Sequence, residues 1–188
     1  MRMEIRKTTL RRVFCGWLGL GIFALAAGDI QRPAVPNNLK VPHGQTVVLK
    51  ALGQGVQIYT CGAKAGDRNQ FEWVLKAPEA DLVGDKGERI GRHYAGPTWE
   101  ANDGSKVAGE VLERADAPRP GAVPWLLLTA KSSQGDGTFN NVTYIQRVNT
   151  EGGTAPRDGC NAQHIGAEAR VDYKAAYYFY ARTSAGGE

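Results

Sequence analysis

From Thr46 onward, short apolar or alternating runs are cut by glycine, asparagine and aspartate, and this pattern predicts strands. Thr46–Leu52 is the first candidate, and Val56–Cys61 follows after Gly53-Gln54-Gly55. Alternation in that second run sets Val56, Ile58 and Thr60 against Gln57, Tyr59 and Cys61. Phe71, Trp73 and Leu75 share a face in the next run. Ala80–Val83 and Gly91–Tyr94 flank Gly84-Asp85-Lys86-Gly87, a hairpin loop by composition. Pro97–Ala101 and Lys106–Leu112 flank Asn102-Asp103-Gly104-Ser105, where Asp-Gly is a strong hairpin signal. Trp125–Ala130 is nearly all apolar, as in a strand buried on both faces, and Asn141–Val148 alternates again. The longest run, Arg170–Ala181, places Val171, Tyr173, Ala175, Tyr177 and Phe179 on one face. Asp172, Lys174, Ala176, Tyr178 and Tyr180 take the other, so the strand is either central or lines a pocket.

The count is about nine strands, and no stretch holds a capped 3.6-residue period. Ala108–Ala115, which competes with a strand, and Cys160–Ala167 are the best helical candidates. The expected fold is therefore all-β: a single-domain antiparallel sandwich or barrel with little helix. The domain spans 46–181. An extended lead-in at 28–45, marked by Pro33, Pro36 and Pro42, precedes it, and a frayed tail at 182–188 follows.

Charge changes the reading of the N-terminus. Five of the 23 basic residues and one of the 19 acidic residues lie in 1–27, which leaves 18 of each beyond. The body is formally neutral, with its charges interspersed, so no nucleic-acid partner is expected. Residues 1–27 run from a basic stretch (Arg2 to Arg12) to an apolar one (Val13 to Ala27) ending in small residues. That order is a secretory signal peptide, and the apolar run is shorter than a bilayer span. An uncleaved anchor is the alternative. The protein is expected to be secreted or periplasmic, with no transmembrane segment after signal removal. Cys15 would leave with the signal, and Cys61 and Cys160 remain. In an oxidising compartment a disulfide between them is the default, with two separate thiols as the alternative.

Five segments in order carry a resemblance: Gly55–Cys61, His93–Trp99, Pro124–Leu128, Arg147–Gly153 with Pro156 and Cys160, and Val171–Ala175 leading into Tyr178-Phe179-Tyr180. Together they resemble the DUF3455 family, exported bacterial and fungal proteins of unknown function, over about residues 35–181. The resemblance implies an exported β-rich domain with the cysteines paired, and it carries no catalytic residues. A malate dehydrogenase label attached to some fungal relatives does not fit. The nearest approach to a dinucleotide turn, Gly53-Gln54-Gly55-Val56-Gln57-Ile58, lacks the third glycine and runs into a strand. No cofactor is expected.

His43, His93 and His164 lack ligand spacing, so no metal site is expected. His93 stands beside Tyr94 and before Trp99, a setting for a ligand contact, a general base or a structural histidine. The expected function is a non-catalytic binding or envelope-associated module for a small molecule or glycan. Its candidate contacts are His93, Tyr94, Trp99 and Arg147. The alternatives are a hydrolase pairing His93 with Glu100 or Asp103, and a structural or interaction protein. Oligomeric state is not legible.

Overall fold

A computed structural model describes residues 30–183. Residues 1–29, with the expected signal peptide and Cys15, and residues 184–188 of the expected tail lie outside the described residues. The described chain forms eight antiparallel strands: β1 (Gln45–Lys64), β2 (Asp67–Val83), β3 (Arg89–Tyr94), β4 (Thr98–Ala101), β5 (Lys106–Ala115), β6 (Trp125–Gln134), β7 (Val142–Gly152) and β8 (Glu168–Arg182). Each strand pairs with the next and β8 returns to β1, so the sheet closes as a barrel and the sandwich alternative falls away.

There are eight strands rather than about nine: the ten runs named from the sequence become eight because two expected breaks are continuous. Gly53-Gln54-Gly55 lies inside β1. A Cβ at Gly53 would come 2.6 Å from the Tyr177 ring, and one at Gly55 would come 2.2 Å from the Glu79 carbonyl oxygen. These glycines permit close approach within the wall rather than a turn. The runs around Phe71 and Ala80 likewise fuse into β2. Ala108–Ala115 is strand, and the helical candidate at Cys160–Ala167 is reduced to a 3-10 turn at Ala162–His164. β1 and β8 meet at their ends, where Arg182 pairs with Gln45 and the Thr183 N–H donates to the Gly44 carbonyl at 2.9 Å.

Over residues 175–181 both faces of β8 are buried, for different reasons. Tyr173, Ala175, Tyr177 and Phe179 point into the barrel with Leu82, Trp99, Val107, Leu128 and Ile145. Ala176, Tyr178 and Tyr180 face outward under the lead-in, against Leu39 and Val41. The lead-in is thus a packed strap. Gln146 Nε2 donates to the Leu39 carbonyl at 2.6 Å, and the Tyr180 hydroxyl donates to Gln146 Oε1. Arg32 lies 5.3 Å from the centre of the Tyr180 ring. Burying each such aromatic is worth roughly 1.5–3 kcal/mol, which covers an outer face that would otherwise be sticky.

The uncovered outer wall is charged. Arg89 pairs with Asp81, Arg92 with Glu100, Arg170 with Glu79, and Lys76 with Glu168. No helix among the described residues is long and apolar enough to cross a membrane. The charged wall around an apolar interior is also the reverse of a lipid-facing barrel, whose outer band is apolar.

Candidate binding site at the barrel mouth

Strand lengths decide where the barrel opens. β1 and β2 run for 20 and 17 residues, whereas β3 and β4 have 6 and 4. β3 pairs only with Ala80–Val83 of β2, and β4 only with Lys106–Ala108 of β5. Beyond the β3–β4 turn at Gly96-Pro97, the facing edges of β2 and β5 have no ladder partner among the described residues. Pro78 lies on that stretch of β2, where a residue without an N–H interrupts no ladder. The notch exposes Leu75 and Val111.

A cavity of about 400 Å³ occupies the notch and the barrel interior behind it. Its apolar wall includes Leu75, Pro78, Pro97, Val111, Leu126 and Leu128, and its inner end is formed by Gln57, Tyr59, His93, Trp99, Arg147 and Tyr177. The volume is at the low end of the range for small-molecule sites.

Three of the four sequence-derived contacts line this cavity. His93 and Trp99 are cross-strand partners pointing inward, with rings stacked 4.4 Å apart and 9° from parallel. Arg147 is the next inward residue after Ile145 on β7. Tyr94 does not belong to the set. Alternation turns it to the outer wall, where its hydroxyl donates to Glu100 Oε2 at 2.8 Å. Trp99 lines the cavity but cannot serve as a sugar-stacking platform, because it is 1% exposed and packed among His93, Tyr177 and Phe179.

His93 keeps its proton on Nδ1, which donates to the Thr98 carbonyl at 2.9 Å. Burial pushes its pKa down to about 3, the Thr98 bond opposes that shift, and the Arg147 charge adds to it. The ring is therefore neutral near pH 7, with Nε2 left as an acceptor. Glu100 and Asp103 are not its partners. Glu100 sits on the outer wall with Arg92, Tyr94 and Lys106, and the hydrogen bond from Tyr94 is the main cause holding its carboxyl low. Asp103 fastens the opposite end of the barrel. It accepts from Ser105 N and Oγ at 2.8 and 2.6 Å, and from Thr138 N and Oγ1 at 2.8 and 2.7 Å. These bonds, the Ser105 hydroxyl first, hold its carboxyl far below the usual range.

Arg147 is the hub of the inner end. Its Nε and Nη2 donate to the Pro124 carbonyl at 3.2 and 2.9 Å. Burial pushes the Tyr59, Tyr173 and Tyr177 hydroxyls up, and the Arg147 charge pulls each back. Tyr59 donates to the Gly153 carbonyl at 2.6 Å, and the Tyr173 and Tyr177 hydroxyls lie 3.3 Å apart. One buried donor at this site, Trp99 Nε1, has no partner, and the Gln57 amide reaches the Tyr173 hydroxyl.

Sequence reasoning did not single out Gln57 and Tyr59 as cavity residues, because alternation sets them on one face without saying which face is inward. It placed Tyr177 on a strand that is either central or lines a pocket, without choosing.

The loops around the mouth are tied down. Thr150 Oγ1 donates to the Val123 carbonyl at 2.6 Å, and Trp73 Nε1 to the Asp158 carbonyl at 2.9 Å. Cys61 and Cys160 form a disulfide between β1 and the β7–β8 loop. His164 is bonded to Asn161 in that loop, and His43 is exposed in the lead-in, so the three histidines stand in separate settings. No group of three metal-ligating side chains occurs among the described residues. The Gly53–Ile58 stretch lies within β1, with no strand-to-helix turn to cradle a pyrophosphate.

This same stretch of chain, residues 42–181, matches the family model described as Protein of unknown function (DUF3455). The chain is a DUF3455 protein. No curated protein and no solved structure is found to match it. The family match covers β1 to nearly the end of β8, so the DUF3455 unit is the barrel together with its mouth.

Proposed function

We propose that this DUF3455 barrel is an exported, non-catalytic binding protein that holds a small molecule in its mouth. The observation that carries the reading is the cavity, in which apolar side chains surround a few converging polar groups on a rigid closed sheet. Export is supported by the basic, apolar, small-residue order at the N-terminus and by the disulfide, which suits an oxidising compartment. The buried Trp99 and the outward Tyr94 favour a compact organic ligand over a glycan. No observation favours hydrolysis, because His93 faces Thr98, Trp99 and Tyr177 rather than a carboxylate.

Native mass spectrometry of the oxidised protein, followed by a thermal-shift screen of small metabolites, tests the reading. A specific stabiliser should raise Tm in the wild type, by ligand linkage. Val111→Trp, which fills the notch from a partly exposed position, should abolish that shift and leave the unliganded Tm nearly unchanged. Stabilisation that persists in Val111→Trp would place the ligand elsewhere and overturn the reading.

A further inference from the structure

The cavity lining is electrostatically one-sided. It contains Lys76, Arg114 and Arg147 and no aspartate or glutamate. Elsewhere, Arg89, Arg92, Lys106, Arg119 and Arg170 each meet a carboxylate, and the cations that meet none, such as Lys64, Arg68, Lys131 and Lys174, are exposed to water, whereas Arg147 is partly buried. At the rim, Lys76 meets Glu168. Arg147 forms no ion pair among the described residues, and the partner it does have is the neutral carbonyl of Pro124. A partly buried guanidinium without a counter-charge carries a desolvation cost that an anion in the cavity would offset.

The guanidinium also has donors to spare. It carries five N–H bonds in a planar fork. Two serve Pro124, and Tyr177 is close enough to draw on another. What remains suits the two oxygens of a carboxylate. The wall leading to it (Leu75, Pro78, Pro97, Val111, Leu126 and Leu128) is apolar and the cavity is small, which excludes an oligosaccharide and disfavours a fully hydrated inorganic anion. The neutral His93, with Nε2 as an acceptor, and the Gln57 amide, which also reaches the Tyr173 hydroxyl, border the same space.

We propose that the barrel mouth selects a small organic carboxylate, with its anionic end on Arg147 and its apolar body against Leu75, Pro78, Val111 and Leu126. Exposed Arg114 at the rim steers the anion inward. This inference rests on the cavity being the binding site, as proposed above, and adds the chemical class of what fills it.

The test is calorimetric titration of the oxidised full-length protein with benzoate, 3-phenylpropionate and hexanoate, each against its own primary amide, and with inorganic phosphate. At least one acid should bind about tenfold or more tightly than its amide, as a charge-assisted pair implies. Phosphate should bind more weakly than that acid. Arg147→Met should weaken the acid at least tenfold more than its amide, so that the preference disappears, and Arg147→Lys should fall between. If Arg147→Met does not fold, the wild-type acid–amide pairs decide alone. Equal binding of acids and amides would overturn the carboxylate inference and leave the cavity reading standing. Phosphate binding as tightly as the acids would overturn the apolar-body part. No binding by any acid or amide would overturn both.

Discussion

The two ends of the barrel are finished in opposite ways. At the end carrying the β4–β5 and β6–β7 connections, Phe139 folds inward against Phe179, with ring centres 4.8 Å apart. Asp103 there meets four donors, and Ser105 Oγ accepts the Phe139 N–H at 3.1 Å. At the mouth, Trp99 Nε1 lacks a partner and Arg147 lacks a counter-ion among the described residues. Stability accounts for the first end. The second leaves polar capacity unspent beside a cavity, which is the arrangement expected where a ligand completes the site.

The largest effect should come from opening the sealed end. Phe139→Ala removes a fully buried ring and should destabilise the protein by about 3–5 kcal/mol, read by urea unfolding. A loss below about 1 kcal/mol would mean that this end is not part of the core.

Next is the covalent tie beside the mouth. The cysteines are 99 residues apart, and Cys61→Ser/Cys160→Ser should cost about 2–4 kcal/mol. An unfolding midpoint that does not respond to the double substitution or to reductant would remove the tie from the account of stability.

Acid should then separate the ends by pH window. The folded pKa of His93 is depressed to about 3, so the unfolded chain takes up its proton first as pH falls. Full stability from keeping this ring neutral is present above the unfolded value of about 6.5 and is lost progressively down to the folded value. His93→Gln should flatten the fall in urea midpoint between pH 7 and pH 5. An unchanged pH slope in the variant would contradict the buried neutral ring.

The smallest effect belongs to Asp103. Its folded pKa is also depressed, but by hydrogen bonds to an exposed carboxylate. Its contribution is present above the unfolded carboxyl value of about 3.9 and is lost as pH falls through the lower folded value. Asp103→Asn should therefore change the slope below about pH 4 and leave the pH 7 to 5 interval alone. A change confined to the higher interval would show that the two ends are not titrating separately.

Much of this architecture was legible locally. The Asp103-Gly104 hairpin, the Gly84–Gly87 loop, the two-sided burial of β8 and the Cys61–Cys160 pairing all follow from residue type and order. The candidate site was only partly legible. His93, Trp99 and Arg147 were singled out, but Tyr94 was grouped with them because it is adjacent in sequence. In a strand adjacency means opposite faces, and that separates Tyr94 from the cavity.

Sequence by itself determined the strands, most of their turns and which residues share a face, because these depend on period-two alternation and turn chemistry. Tertiary structure alone decided that the sheet closes, that Gly53 and Gly55 serve close packing, and that short β3 and β4 leave a notch. It also decided that Arg147 faces that notch without a carboxylate beside it. Those outcomes depend on which distant segments meet, through strand register and length around a closed ring, and no local window of residues contains that information.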